Sequence, residues 1–323
     1  MTTSHLSLLR LGTRRSPLAL AQSGMIARAL EARHPGLTVE LVGIVTTGDV
    51  VTGDLAKVGG KGLFTQELER GLLDGSLDFA VHSMKDLPVR LPDGLVVAAH
   101  PERADPRDVL VSDVVSEAAQ DLDGLPAGAV LLTGALRRRA QILIRRPDLR
   151  VEAIRGNVDT RLRKWKESGA GGVILAGAGL LRLGLEGLPL HPLNPHLFLP
   201  APCQGILALE TRAGSPAEAL CAALDHAPTA RAAAAERRVV AAFGGDCTLP
   251  LAAWARPEGA EGAEEALRLT ALLSTPDGRH SARGEAVGAD PAEVAAACVA
   301  RLREAGADEV LERIRRAPSG TNQ

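Results

Sequence analysis

Strand-like and helix-like segments alternate through residues 6–176, and this alternation constrains the fold more than any other feature of the sequence. Strands are predicted at 6–11, 37–45 and 78–84, with helices at 17–33 and 63–73. The pattern then repeats, with strands at 129–132, 151–154 and 172–176 and helices at 136–146 and 158–167. Because strands that are separated by helices usually pair in parallel, the sequence predicts two α/β units with mostly parallel sheets.

Two stretches are typical of crossovers between these units. Residues 101–108, PERADPRD, are charged and interrupted by prolines, which favours a connection over a helix or a strand. The apolar segment 206–209 follows a proline-rich run and is predicted to return the chain to the first sheet as an added strand. The first domain is therefore expected to comprise 1–103 and 200–218, and the second 104–199.

From residue 215 onwards the sequence becomes rich in alanine. Helices are predicted at 217–242 and 291–316, around three strands near Leu251, Leu267 and Ala282. This part of the chain is expected to form a third, smaller α+β domain at 219–323.

Charge and aromatic content argue against nucleic-acid binding. The 37 Lys and Arg residues nearly balance the 39 Asp and Glu residues, so the net charge of −2 predicts no general attraction to nucleic acid. Aromatic residues make up 2% of the chain, which leaves few side chains to stack on single-stranded bases. No nucleic-acid partner is therefore expected.

The sequence contains no recognisable membrane or secretion signal. No stretch reaches the roughly 18 uninterrupted apolar residues of a membrane helix, and Arg10, Arg14 and Arg15 interrupt the region that a signal peptide keeps apolar. A cytoplasmic protein without a membrane partner is expected. The four cysteines show neither CxxC spacing nor histidines at metal-ligand intervals, so we expect free thiols and no metal site.

Two nucleotide-binding motifs are incomplete. In a P-loop ending at Lys61, Leu55 would replace the first glycine, and Gly62 stands where Ser or Thr must follow the lysine. A dinucleotide fingerprint beginning at Gly177 lacks its third glycine. Nucleotide binding is therefore not predicted.

Arginines recur at the predicted starts of elements. They are Arg14 and Arg15, Arg137 to Arg139, Arg155 and Arg161, and Arg182. A helix N-terminus disfavours cations but attracts anions, and a guanidinium group binds a carboxylate through two N–H donors. The pattern favours a bound polycarboxylate, and the alternative is a set of solvated surface arginines.

Three further residues could carry chemistry. Asp86, at the predicted C-terminal end of a strand, is a general acid/base, a carboxylate facing a developing cation, or a cap. His82, on the same buried strand, is a catalyst or a hydrogen-bonded core residue. Cys247, in a glycine-rich loop, is a nucleophile, an attachment point or an inert thiol. Ligands of open α/β sheets bind at the C-terminal ends of the strands, where Asp86 is expected.

Four runs of sequence resemble the porphobilinogen deaminase family, also called hydroxymethylbilane synthase. The runs are TRRSPLAL at 13–20, LAKVGGKGLF at 55–64, AVHSMKDLP at 80–88 and RGNVDTRL at 155–162. The resemblance extends over nearly the whole chain and is strongest up to about residue 210. It implies a transferase that joins four porphobilinogen molecules head to tail, with release of ammonia, into the linear tetrapyrrole 1-hydroxymethylbilane.

The resemblance also implies a cofactor and residue roles. The cofactor is a dipyrromethane primer, joined by a thioether to Cys247, and Asp86 is the catalytic residue that stabilises a cationic azafulvene. The implied cofactor contacts are Lys85, Ser83, Thr133, Arg137 and Arg138. The implied contacts to porphobilinogen and its oligomers are Arg14, Ser16, Arg155, Arg161, Arg182, Lys57 and Lys61.

The family fold implied by the resemblance is two periplasmic-binding-protein-like α/β domains around a cleft, plus a smaller C-terminal α+β domain, in a monomer.

The chain departs from the family pattern at four positions. Gly134 and Ala135 stand where the family commonly has serines. Asp246 replaces a glycine before Cys247, and Cys203 replaces a glycine before Gln204. Backbone N–H groups at 134–136 are therefore expected to hold carboxylates. The alternatives are a non-catalytic two-lobed binding protein for a carboxylated small molecule, and an inactive relative.

Overall fold

A computed structural model describes residues 7–47, 65–115, 121–244, 249–259 and 266–316 of the chain. The chain forms two compact units, Met1–Arg103 with Ile206–Ala230, and Ala104–Gly205 with Arg231–Gln323. In the described ranges, the first unit contains a five-stranded sheet, and the second contains a five-stranded and a three-stranded sheet.

Strands and helices follow one another along the chain in the predicted alternation. The strands are β1 (Leu8–Arg14), β2 (Thr38–Ile44), β3 (Phe79–Ser83), β4 (Leu95–Ala99), β5 (Asp108–Val111), β6 (Val130–Leu132), β7 (Arg150–Glu152), β8 (Gly172–Ala176), β9 (Leu190–Pro192), β10 (Leu207–Arg212), β11 (Leu251–Glu258), β12 (Ala266–Ser274) and β13 (Ser281–Gly288). The α-helices are α1 (Pro17–Arg33), α2 (Gln66–Asp74), α3 (Leu136–Arg145), α4 (Val158–Ser168), α5 (Gly177–Arg182), α6 (Pro216–Cys221), α7 (Ala227–Ala242), α8 (Pro291–Glu304) and α9 (Ala307–Arg316).

The first sheet has the strand order β2-β1-β3-β10-β4. Strand β1 is parallel to β2 and β3, whereas β10 is antiparallel to both of its neighbours, β3 and β4. The predicted return of 206–209 to the first sheet is therefore confirmed. The returning strand lies directly beside β3, the strand that carries the residues of greatest chemical interest.

Helices cover this sheet on both faces. Because successive side chains of β3 point to opposite faces, neighbouring residues of the strand pack against different helices. Phe79 belongs to the core cluster that α1 fills with Ile26 and Leu30. Ala80 belongs to the cluster that α2 fills with Leu68 and Leu72. The C-terminal end of β3 thus lies between the start of α1 and the start of α2.

The five-stranded sheet of the second unit has the order β7-β6-β8-β5-β9 and repeats the topology of the first. Strand β6 is parallel to β7 and β8, and β5 is antiparallel to β8 and β9. In each sheet, an antiparallel strand from a crossover segment occupies the fourth position. The predicted repetition of the first α/β unit is confirmed.

The last part of the chain forms an antiparallel β-meander, in the order β11-β12-β13. Its core combines strand residues such as Leu269 and Leu273 with Val294 and Leu302 of α8. Together with the two sheets above, this meander confirms the predicted fold class of two α/β units and a smaller α+β part.

The structure differs from the sequence prediction in three short strands and three helices, one of which, α5, was not predicted. Strands β4, β5 and β9 were not predicted, and β5 begins at Asp108 within the segment interpreted as a crossover. The helix predicted at 217–242 is interrupted between α6 and α7, and the one at 291–316 is interrupted at Gly306, whose φ of 96° ends α8. In the part of the chain that the structure describes, no helix is both long and apolar enough to cross a membrane.

Candidate active site

The turn from β1 to α1 forms one wall of a pocket in the first unit. Strand β1 ends at Arg14, and Ser16 then caps α1 because its Oγ accepts a hydrogen bond from the Ala19 N–H at 3.3 Å. Pro17 follows at the first helical position, and the first turn contains no acidic residue. The helix N-terminus therefore keeps its positive end available to an anion.

The second wall is the turn that follows β3. Met84 is 2% exposed and Leu87 is 5% exposed, and the Leu87 N–H donates to the Met84 carbonyl at 3.2 Å across one turn of 3₁₀ helix. These two buried side chains anchor the turn. Lys85 between them is half-buried and Asp86 is exposed, so the turn presents both groups outward at the sheet edge.

The pocket brings several of the predicted site residues together. Its lining comprises Arg14, Ser16, Leu18, Ala19, Gln22, Thr65, Val81, His82, Ser83 and Asp86. Arg14 and the helix N-terminus supply positive potential, and Asp86 supplies a carboxylate. The pocket can therefore hold a ligand that carries both carboxylates and a positively charged group.

Gln22 is a pocket residue that the sequence reasoning missed. Its Nε2 donates to Ser83 Oγ at 3.1 Å, and the side chain is 5% exposed. Gln22 shares the buried face of α1 with Ile26 and Leu30, at intervals of four residues. A polar residue at an apolar position of a helix face was the signal available in the sequence.

In the second unit, Thr133 organises the start of α3. Its Oγ1 accepts from the Ala135 N–H at 3.2 Å, and its own N–H donates to the Glu152 carbonyl at 3.0 Å. No side chain caps α3 at Ala135, and the first turn of the helix contains no acidic residue. This loop is therefore a second place where a helix N-terminus can attract a carboxylate.

Arg137 and Arg138 form a buried ionic group with Asp108. Arg137 Nη1 lies 2.7 Å from Asp108 Oδ2, and Arg138 Nη2 lies 2.8 Å from Oδ1. Each arginine is 5% exposed and Asp108 is fully buried. Two guanidinium groups against one carboxylate leave a net charge of +1, which is costly in a buried position unless an anion approaches.

Hydrogen bonds hold this ionic group in place. Gln204 Nε2 donates to Asp108 Oδ1 at 2.8 Å, and Arg138 Nη1 donates to the Ile174 carbonyl at 2.9 Å. Burial alone would raise the pKa of Asp108, but the charges of Arg137 and Arg138 outweigh burial and hold it well below its ordinary value. Burial and the neighbouring Arg138 lower the pKa of Arg137.

The remaining arginines lie around α4 and α5. Asn157 caps α4 by accepting from the Thr160 N–H at 2.9 Å, with Arg155 exposed before the helix and Arg161 half-buried within it. Arg182 was predicted to lie at the start of an element, but it is the last residue of α5. Its Nη2 donates to the Gly205 carbonyl at 2.7 Å, and burial lowers its pKa to about 10.

Three predicted site residues lie outside the described part of the chain: Lys57, Lys61 and Cys247. The other three cysteines, Cys203, Cys221 and Cys298, are buried, and no disulfide joins them in the described part of the chain. Burial raises the pKa of the Cys221 and Cys298 thiols to about 12, so these two are unreactive at neutral pH.

Gly134 occupies a position where a side chain does not fit. A Cβ at this residue would lie 2.6 Å from the Ile154 carbonyl oxygen and 3.8 Å from Arg161 Nη2. We expect Gly134→Ala to lower the free energy of unfolding by about 1–3 kcal/mol, because the backbone of the loop must move. Urea unfolding of both proteins measures this difference, and Gly187→Ala, with open space around its Cβ, is the control. Equal urea midpoints for Gly134→Ala and the wild type would contradict the close approach of residue 134 to the Ile154 carbonyl oxygen.

Comparisons with known proteins agree with the resemblance. The family model described as "Porphobilinogen deaminase, dipyromethane cofactor binding domain" matches residues 9–219. The model described as "Porphobilinogen deaminase, C-terminal domain" matches residues 230–306. A porphobilinogen deaminase from Brevibacillus brevis (strain 47 / JCM 6285 / NBRC 100599) is 43% identical over 309 residues, which cover 95% of this chain and 97% of the relative.

Matches among solved structures include a regulatory domain and a binding protein. A mutant of the OxyR2 regulatory domain from Vibrio vulnificus is 17% identical, with a TM-score of 0.40, covering 69% of this chain and 97% of that one. The methionine binding protein MetQ is 12% identical, with a TM-score of 0.40, covering 68% of this chain and 88% of that one.

The described residues fit a cofactor that carries carboxylates. The buried group of Asp108, Arg137 and Arg138 has one positive charge in excess, and the adjacent start of α3 has no acidic residue. Anions of the cofactor would compensate both. Two family models along most of the chain and a 43% identical relative of similar length agree with this chemistry. The chain therefore belongs to the porphobilinogen deaminase family, the hydroxymethylbilane synthases, which join four porphobilinogen molecules head to tail, with release of ammonia, on a dipyrromethane cofactor.

Proposed function

We propose that porphobilinogen is activated in the pocket of the first unit, with Asp86 as the catalytic residue. The turn between the buried Met84 and Leu87 carries this proposal, because it presents the Asp86 carboxylate at the pocket. Positive charge develops on the pyrrole as ammonia leaves. A fixed carboxylate stabilises that charge more strongly than it stabilises the neutral ring, so the barrier falls.

Carboxylate recognition explains the number of arginines. Each pyrrole carries an acetate and a propionate, so every added unit brings two negative charges. Arg14 and Ser16 line the pocket beside Asp86, and the start of α1 adds backbone N–H groups. We assign substrate and intermediate binding to Arg14 and Ser16, together with Arg155, Arg161, Arg182, Lys57 and Lys61.

We assign contacts with the dipyrromethane carboxylates to Thr133, Arg137 and Arg138 around the start of α3, and to Ser83 and Lys85 at the end of β3. Arg138 already uses Nε, Nη1 and Nη2 on Asp108 and Ile174, whereas Arg137 directs Nη1 to Asp108 and the Leu199 carbonyl. Arg137 is therefore the better placed of the two for a direct contact. When bound, the cofactor supplies the primer on which the chain grows.

Covalent attachment is assigned to Cys247. The high pKa of Cys221 and Cys298 supports this choice, because a thioether forms from a thiolate and these two buried thiols stay protonated. We further propose a cytoplasmic monomer of three domains, 1–103 with 200–218, 104–199, and 219–323.

Intact mass spectrometry tests the attachment. The protein purified from cells that make porphobilinogen is expected to carry a covalent excess of two pyrrole units, and Cys247→Ser is expected to lose all of it. Cys221→Ala removes a buried thiol and serves as the control that keeps the excess. A wild-type protein of unmodified mass, able to bind carboxylated pyrroles, would instead support a non-catalytic binding protein.

A further inference from the structure

His82, which lines the Asp86 pocket, belongs to a buried ionisable pair. His82 of β3 is 6% exposed and Glu210 of β10 is fully buried. His82 Nε2 lies 2.9 Å from Glu210 Oε2, but the two atoms are not aligned for a hydrogen bond. In the described part of the chain, neither oxygen of Glu210 receives a hydrogen bond. The contact between the two side chains therefore depends on their charges and not on an aligned hydrogen bond.

The strand register brings these two residues together. Strands β3 and β10 are antiparallel, with Ala208 opposite His82 and Glu210 opposite Ala80. His82 and Glu210 therefore point to the same face of the sheet. Helix α2 covers that face and adds Glu69, which is 7% exposed.

The charge of this group follows from its surroundings. A buried carboxylate without hydrogen bonds is costly unless a cation lies beside it, and the His82 imidazole is the adjacent group that can become one. Burial, together with the nearby negative charge of Glu210, raises the pKa of Glu69, which favours its neutral form. An imidazolium at His82 is the adjacent cation that would compensate a carboxylate at Glu210.

Other charged groups around β3 are engaged elsewhere or line the pocket. Arg212, farther along the same face of β10, donates to the carbonyl oxygens of Leu72 and Leu77. Glu67 of α2 accepts from Thr47. Arg14 of β1 and Asp86 of the 3₁₀ turn line the pocket that His82 also lines. Of these, His82 is the residue that both reaches the pocket and can exchange a proton near neutral pH.

The reaction of the family requires such an exchange in every cycle. The carbon–nitrogen bond of the aminomethyl group breaks, and its electron pair leaves with the nitrogen. A carbon–carbon bond forms from the ring electrons of the second pyrrole, whose carbon–hydrogen bond then breaks and returns its electron pair to the ring. Starting from the neutral amine, the nitrogen needs one proton in order to leave as ammonia, and the ring carbon releases one. The two transfers balance, so a single group can perform both.

We propose that His82 is this group, and that Glu210 positions and charges it. The His82 imidazolium donates its proton to the amine nitrogen as the carbon–nitrogen bond breaks. The neutral imidazole then accepts the proton that the ring carbon releases, which restores the imidazolium for the next condensation. Glu210 stays ionised throughout and holds the proton on His82 between cycles. This proposal rests on the placement of the reaction in the pocket of the first unit.

The kinetic test compares His82→Gln with His100→Gln in the full-length protein. His100 belongs to a second His–carboxylate pair of the same unit, 3.2 Å from Asp225, and does not line the pocket. We expect His82→Gln to lower kcat by about 100-fold with little change in KM, because it removes the group that donates and accepts the proton. His100→Gln should keep the wild-type kcat. A His82→Gln enzyme with the wild-type kcat would overturn the proposal.

A spectroscopic test does not depend on turnover. In wild-type protein with ¹⁵N-labelled histidines, NMR resolves the ring nitrogens of the eight imidazoles, and the signal absent from His82→Gln identifies His82. We expect both ring nitrogens of His82 to carry a proton at pH 7 in the wild type, and Glu210→Gln to reduce the protonated fraction. A His82 ring that has only one protonated nitrogen in the resting wild-type protein would overturn the proposal. The placement of the reaction in this pocket is tested separately. Normal turnover of Asp86→Asn would contradict that placement, whereas normal turnover of His82→Gln alone would contradict only the role of His82.

Discussion

Asp86→Asn is expected to lower kcat by about 10²–10³-fold while the variant keeps its covalent cofactor. The amide retains the size and the hydrogen-bonding oxygen of the carboxylate but removes the negative charge that faces the developing cation. Met84 and Leu87 anchor the turn from within the core, so the substitution at the exposed residue should leave the fold intact. Steady-state kinetics with porphobilinogen and intact mass measure the two properties on the same preparation.

Asp93→Asn is the matched control for this prediction. Asp93 is also an exposed aspartate of the first unit, and it does not line the pocket. Its replacement should leave kcat within about twofold of the wild type, because a change at an exposed residue outside the site has little effect. Near-normal turnover of Asp86→Asn, with cofactor in place, would contradict the catalytic assignment.

Asp108→Asn is expected to destabilise the second unit by about 3–5 kcal/mol. The change removes the one carboxylate between Arg137 and Arg138 and leaves two guanidinium groups buried without it. Urea unfolding at pH 7 measures the loss as a lower midpoint. The control is Asp105→Asn, since Asp105 lies 2.6 Å from Arg107 but is 42% exposed in its side chain, and an exposed pair contributes only about 0–1 kcal/mol.

The pH dependence of this effect has a definite sign. The two arginines hold the pKa of Asp108 below its ordinary value in the folded protein, so ionised Asp108 stabilises the fold above the unfolded pKa of about 4. This contribution is lost as the pH falls through the lower, folded pKa. The midpoint difference between wild type and Asp108→Asn should therefore be constant above about pH 5 and narrow below it. A difference in urea midpoint that grows as the pH falls would contradict the stabilising role of ionised Asp108.

Local sequence signals predicted much of the architecture. The Ser16 cap, Pro17 and the length of α1 follow from side-chain chemistry within one turn of helix, and the structure confirms them. The position of Asp86 after β3 follows from a short buried run followed by polar residues. Strands β5 and β9 were missed because strands of only three or four residues are too short to show a distinguishing periodicity.

Partners that are distant in the sequence could not be predicted in the same way. Arg137 and Arg138 were recognised as unusual at a helix start, but their pairing with Asp108 depends on the crossover strand β5 lying beside β8. The contact of His82 with Glu210 depends on the antiparallel register of β10 against β3. No local propensity encodes either arrangement.

The amino-acid sequence by itself determined the order of strands and helices, the repetition of the α/β unit, the return of 206–209 to the first sheet and the family of the chain. These depend on periodicity, caps and continuous motifs, which act over a few neighbouring residues. The tertiary structure alone decided which charges are buried together and which thiols stay protonated. Those properties depend on distance and exclusion of water, and residues acquire both only when separate segments pack against each other.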